Sequence, residues 1–503
     1  MEGSRAAGIE AVFFPKAREV FENKIQGCPT NRCSRMAAAV CRSKSADALM
    51  ENLGYRCMLA LAANRYFDNP YRTFCPDSDF NLDPYLIGYY VLGMHMLGLS
   101  KWLSDIMEDG KYQHLIFLSR DGYLPMKAFQ EYQRYFRCNE EADVRYMRSS
   151  RRALMPLMVK DRLNFYQLPV SAGAHTPMTL LSVLSFAVDP EKTEKREIRE
   201  WLKEENIQPD QAFRSRGEMD HFTDFFLRKL YDPQRHRRAA KLVRKYYSEI
   251  PENSLTFDMG YSGRIQGAIC EACGRRTDAA FLHEDGSHSI QEKGYYHFSI
   301  RNFYRSRPAV TGPVREHVFS DLSGSCTGFF LENGKVRPVL ERPCPDYAAR
   351  FVIEQMHGGA LDMVRDFCSI FCEYKDSLEF SPEEVSLPWE GFLRYPSERD
   401  LQLFSASFFE DRVFGAREKI NIKEFAEKQL KMLGWPENTG DKCKAEGEKW
   451  MPADVRAIPE RFLCSSRWKR GVIWLLLDRP VFMEKLKAAL AKAGRGYEKN
   501  DRE

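Results

Sequence analysis

The sequence predicts an α/β protein with an open, mostly parallel sheet, a helical insertion, and helical N- and C-terminal regions. Two stretches repeat one logic: "HLIFLSRDGYLPMKAF" from His114 and "ENSLTFDMGYSGRIQGAICEACG" from Glu252 each lead from an apolar strand through a polar, glycine-bearing turn into an amphipathic helix. The runs "DVRYMRSS", "TDAAFLHED" and "KGYYHFSI" supply further strands, and strands alternating with helices imply parallel crossovers. Between the two units lies a charged stretch with periodic Trp, Leu, Phe and Tyr, which reads as a helical cap over the sheet. The expected organisation is a helical region over 1–105, a Rossmann-like domain over 106–345 with its insertion at about 188–250, and a helical region over 346–503.

In chain order, residues 1 to about 50 mix small and basic side chains and read as loosely packed helices. The apolar stretch "PYLIGYYVLGMHMLGLSKWL", Pro84–Leu103, approaches the length of a bilayer span. It contains His95 and three glycines and lacks flanking basic clusters, so a buried core helix is expected and no transmembrane segment. The first unit comprises the strand His114–Leu118, the turn Ser119–Gly122 and a helix from Leu124 to about Phe136. The second comprises the strand Ser254–Phe257, the turn Asp258–Gly263 and a helix from about Arg264. Asn333-Gly334, between Glu332 and Lys335, signals a hairpin. Helices return beyond Pro345, interrupted by the glycine-, proline- and charge-rich "GWPENTGDKCKAEGEKWMPAD".

With 75 basic and 71 acidic residues, the net charge of +4 is too small for a nucleic-acid footprint, so no nucleic acid is expected as partner. The basic run Arg235–Lys245 reads as a solvated helix face. Fourteen irregularly spaced cysteines and the absence of a secretory-signal pattern favour reduced thiols and a cytoplasmic location. Cys270 with Cys273, and Cys368 with Cys372, fall at helical spacing without a second ligand pair, which favours buried thiols over zinc.

Ligands of open α/β sheets bind beyond the carboxyl ends of the strands, so both polar turns should face one crevice. Gly260, Ser262 and Gly263 before a helix could cradle a phosphate, or form an ordinary tight turn. Ser119, Arg120 and Gly122 in the first turn, Arg151 and Arg152 after the "VRYMRSS" strand, and Arg264 complete a candidate phosphate-binding set. Asp121 and Asp258, at the ends of two strands, could hold Mg2+ or transfer protons, or each could cap its own helix. His283, Glu284 and Asp285 at a third strand end are secondary candidates. Ser119 occupies the place where an aspartyl-phosphate phosphatase would have its nucleophilic Asp. The only Asp-x-Asp, Asp77-Ser78-Asp79, has no apolar strand before it.

"GYRCMLALAANRYF", "IFLSRDGYLPMKAF", "YMRSSRRALMPL" and "FDMGYSGRIQGAI", in this order, resemble the C-terminal region of large bacterial haloacid-dehalogenase-like (HAD-like) hydrolases often associated with glycosyltransferases and surface-polysaccharide gene clusters. The resemblance covers roughly residues 50 to 415 and extends through "LENGKVRPVL" and "FFEDRVFG". It implies a phosphorylated sugar or nucleotide-sugar as ligand, a setting in polysaccharide biosynthesis and a glycosyltransferase as partner. Those proteins carry their Asp-x-Asp signature in a separate preceding domain that this chain lacks, so phosphatase chemistry is not implied. A more distant likeness is to phosphoribosyltransferases, whose phosphate loop also joins an apolar strand to a helix through acidic and glycine residues. Here Met259 follows Asp258 where that family has a second acidic residue. A non-catalytic partner of a glycosyltransferase is the remaining alternative.

Overall fold

The computed structural model describes residues 2–10, 17, 53–69, 75, 78–168, 172–189, 195–284, 298–304, 312–342, 347–381, 385–394, 396–409 and 420–432. Its centre is a parallel five-stranded sheet of β1 (His114–Leu118), β2 (Asp143–Met147), β3 (Ser254–Tyr261), β4 (Asp278–Glu284) and β5 (Ile300–Asn302), in the order β2-β1-β3-β4-β5. This is the open, Rossmann-like arrangement expected. A hairpin of β6 (Cys326–Glu332) and β7 (Lys335–Leu340) closes through Asn333 and Gly334, both at positive φ, as the Asn-Gly pair predicts.

The principal helices are α1 (Leu53–Phe67), α2 (Gly93–Gly110), α3 (Tyr123–Phe136), α4 (Arg151–Met158), α5 (Pro177–Val183), α6 (Lys195–Glu204), α7 (Arg216–Phe225) and α8 (Pro233–Tyr247). They continue as α9 (Arg264–Cys273), α10 (Gly312–Phe319), α11 (Tyr347–Ile370), α12 (Leu387–Arg394) and α13 (Ile422–Met432). A wide π-turn at Ile87–Leu92 leads into α2.

Side chains alternate across a strand, and on β1 they enter two different cores. Leu115 and Phe117 join a large core with residues of α1, α2, α3, α11 and α12, whereas Ile116 and Leu118 pack with α4, α8 and α9. Both faces of the sheet are thereby covered, which is why β1 and β3 read as apolar runs. The stretch from Pro84 is buried in the first core as expected, and among the described residues no helix is long and apolar enough to cross a membrane.

Two sequence expectations are corrected. The strand placed in "KGYYHFSI" begins only at Ile300, its earlier residues lying partly outside those described. The excursion from β2 to β3 starts at Arg151 rather than near 188, and its last helix is not part of a cap. Ala240, Val243 and Tyr247 place α8 against Ile116 and Leu118 of the sheet, while α5, α6 and α7 enclose a satellite core around Leu184, Leu202, Phe222 and Leu230. From the two flanking helical regions, α1, α2, α11, α12 and α13 all contribute to the core on one sheet face. Residues 433–503, including the expected linker, and most of 1–50 lie outside the described residues.

In that core the segment from Tyr85 through the π-turn meets α11 backbone to backbone. A Cβ on Gly88 would lie 2.2 Å from the Met356 carbonyl oxygen, and one on Gly359 would lie 2.2 Å from that of Tyr85. Backbone cannot yield to a methyl group as a side chain can. Gly359→Ala is expected to cost about 3 kcal/mol or more, read as a lower denaturant midpoint at unchanged m-value.

Candidate functional site

The strand order reverses direction between β1 and β3: the chain proceeds from β1 outward to β2, then returns to β3 and continues to β4 and β5. Such a switch point opens a crevice beyond the carboxyl ends of the two strands, where ligands of doubly wound sheets bind. Asp121 follows β1 and Asp258 lies in β3. The sequence placed Asp258 in a turn, but the β3–β4 ladder continues through Gly260↔His283 and Tyr261↔Glu284, leaving only Ser262 and Gly263 before α9. Asp258 therefore does not cap that helix.

The two aspartates share one environment. Asp258 is buried, accepts the Met259 N–H at 2.8 Å, and is pushed up to about 8 by burial and then by the charge of Asp121. Asp121 accepts the Ser320 hydroxyl at 2.8 Å. Its carboxyl is also raised, by burial first, with Arg120, Ser320 and Arg151 opposing and Asp321 adding to the rise. Arg151, at the start of α4, thus acts on both carboxyls. Two carboxyls removed from water and within reach of each other's charge resist double ionisation, which suits them to proton transfer or to binding a cation.

Arg120 is half-buried beside Asp121, and its guanidinium makes no hydrogen bond or ion pair among the described residues. Other arginines are engaged. Arg152 bonds Glu341 at 3.1 Å and the Ser182 carbonyl at 2.7 Å, which ties α4 to β7 and α5 and takes it out of the anion set. Arg148 bonds Asp321 at 2.5 Å and also Ser323.

Ser119 is likewise committed. Its hydroxyl donates to the Ser149 carbonyl at 3.1 Å and accepts the Ser149 N–H at 2.9 Å, stapling the ends of β1 and β2. The Ser119–Arg120 peptide is cis. The N–H of Gly122 donates to the Leu118 carbonyl at 2.9 Å, and a Cβ there would lie 2.5 Å from the same oxygen, so this glycine serves the turn. Gly260 has φ +115° with the His283 carbonyl 2.2 Å from where its Cβ would be, and Gly263 has φ +70° at the N-cap of α9. Both are required by backbone geometry. Ser262 and Arg264 lie half-buried at that turn.

The third wall of the crevice was not legible in advance. It is the end of α10 and the following "SDLS", where Ser320 reaches Asp121 and Asp321 accepts from Tyr146 at 2.8 Å. His317 on α10 and His357 on α11 join it, both pushed down to about 4, chiefly by burial. The polar stop after an apolar helix in "HVFSDLSG" was the available signal.

Among the described residues no three His, Cys, Asp or Glu side chains converge as a metal cluster. Mg2+ commonly takes only one or two protein carboxylates and fills its shell with phosphate and water, so Asp121 and Asp258 are the donor pair that fits. Cys270 and Cys273 lie on α9 with their thiols directed at the Thr277 and Tyr247 carbonyls, each pushed up to about 11 by burial, as expected of protonated helical thiols. Cys368 is a buried thiol and Cys372 an exposed one. His283 and Glu284 end β4 half-buried, and Asp285 lies outside the described residues. Asp77 also lies outside them, and Ser78 donates to Asp400 at 2.5 Å. The basic run on α8 exposes Arg237, Arg238, Lys241, Arg244 and Lys245 while its apolar side packs inward, a solvated helix face.

Fold and site together define a doubly wound α/β protein with an acidic pair at its switch point and beside it an arginine that is unpaired among the described residues. No protein-family model matches the sequence, and no curated protein is significantly similar to it.

The Asp258 carboxyl, protonated in the native state up to about pH 8, ionises in the unfolded chain near its ordinary 3.8. The folded state therefore binds the extra proton between these values, and stability must fall as pH rises through that window. Asp258→Asn removes this dependence. The expected result is little change in midpoint below pH 4 and a gain over the parent on the order of a few kcal/mol by pH 8, measured by denaturant unfolding across pH.

Proposed function

We propose that the crevice binds a phosphorylated sugar or nucleotide-sugar and that Asp121 and Asp258 support transfer of a phosphoryl or glycosyl group. The observation that carries this reading is Arg120: a half-buried guanidinium at the switch point, beside an aspartate, without a hydrogen-bonding partner among the described residues. A planar cation left unpaired in a crevice suits phosphate or carboxylate oxygens. One carboxyl would act as general base on the attacking hydroxyl, and Asp121 and Asp258 would hold a Mg2+ ion whose charge would offset that of the phosphate. Such chemistry rests mainly on positioning and electrostatic stabilisation, which these few groups supply.

Aspartyl-phosphate hydrolysis is not part of the proposal, because Ser119 stands in the nucleophile's place and its hydroxyl is spent on Ser149. Phosphoribosyl transfer is less favoured, because Met259, at the position of the second acidic residue, is packed in the core. The motif resemblance adds surface-polysaccharide biosynthesis as the setting and a glycosyltransferase as partner.

A thermal-shift panel of nucleotide-sugars, sugar phosphates and phosphoribosyl pyrophosphate, each with and without Mg2+, tests the reading. A ligand that binds only the native state raises the midpoint by mass action. At least one sugar-bearing phosphate is expected to give a Mg2+-dependent rise that Asp258→Asn and Arg120→Gln each reduce by tenfold or more in apparent affinity. No rise with any compound on a folded parent would remove the proposal.

A further inference from the structure

The α10 wall carries a histidine for which the reading above has no use. His317 precedes Ser320 by three residues, so both lie on one face of the helix, and Ser320 reaches Asp121 at 2.8 Å. The imidazole is therefore on the side of α10 from which Ser320 reaches Asp121. Arg120 is close enough for its charge to act on the ring. His317 Nε2 is buried and without a hydrogen-bond partner among the described residues, although the residue as a whole is only half-buried. A buried polar atom with no partner in a native fold calls for an explanation, and a missing ligand is one.

We propose that Arg120 and His317 together form the oxyanion subsite of the crevice, so that the ligand's phosphate lies against α10 and its reacting end points to Asp121 and Asp258. This rests on the reading of the crevice as a phosphate-ligand site and adds the direction in which the ligand lies. The two groups are complementary: the guanidinium supplies charge and a planar fork of donors, and the imidazole supplies a single directed hydrogen bond. Burial and the neighbouring Arg120 hold the ring neutral, so the subsite carries one positive charge rather than two. The glycine turn is the poorer seat for the anion, because Gly260 is fixed within the β3–β4 ladder and Gly263 shapes the entry to α9.

Inorganic phosphate without metal is the probe, titrated into the full chain and followed by thermal shift and by the 15N signals of the histidine rings. The parent should bind phosphate with a change in the His317 ring signal. His317→Phe and Arg120→Gln should each weaken binding at least tenfold, His317→Gln less, and Ser262→Ala should leave it unchanged. His317→Gln and the ring signal in the parent keep the test decisive if His317→Phe does not fold. Phosphate that binds equally well to His317→Gln and leaves the His317 signal unmoved overturns the inference, as does loss of binding in Ser262→Ala alone; either result leaves the wider reading of the crevice standing. Binding by neither phosphate nor any member of the phosphosugar panel overturns both.

Discussion

The parallel pairing of β1 with β3 is the constraint from which the rest of the carboxyl edge follows. His114 to Phe117 lie in register with Ser254 to Phe257 across the whole helical excursion, and the rings of Phe117 and Phe257 meet at 5.4 Å. Closing so long a loop costs only slightly more than closing a short one, because the entropic term grows with the logarithm of its length. Register, by contrast, is strict. Moving β3 by one residue would turn Phe257 out of its core and Asp258 out of the crevice together, so apolar packing on one side of the strand positions the carboxyl on the other.

The first unit was readable because its signals are local: an apolar run, a glycine turn and a 3.6-residue repeat. The Asn-Gly hairpin was readable for the same reason. Asp-Met-Gly-Tyr also looks like a turn by composition, yet it is strand, since pairing with β4 satisfies its backbone and Gly260 tolerates φ +115°. Tertiary context overrode propensity there. Ser119 was read as facing a ligand because position alone cannot show that its hydroxyl meets Ser149. Ser320 and His317 were missed for a related reason: their link to the site spans 199 residues from Ser320 to Asp121 and has no counterpart in any local pattern.

Two treatments of buried charge stand side by side in this fold. Arg315 on α10 and Glu390 on α12 form a fully buried pair at 2.6 Å, with Tyr304 as a further partner at 3.2 Å. That pair is enclosed and satisfied, as a structural pair must be to offset its desolvation. Around Asp121 the arrangement differs: the charges of Asp258 and Asp321 bear on one another through it, while Arg120 beside it has no hydrogen-bonded acid among the described residues. Departures from local consistency of this kind are characteristic of sites kept ready for something else.

The glycine contact between the π-turn and α11 bears on how the chain can be divided. Because Gly88 and Gly359 bring backbone against backbone, helices from before and after the sheet roof its Leu115 and Phe117 face as one layer. A fragment trimmed to the α/β segment alone would carry that face bare, as a broad apolar surface prone to self-association. The smallest unit that can be moved between proteins, or fused to another domain, must therefore include both flanks.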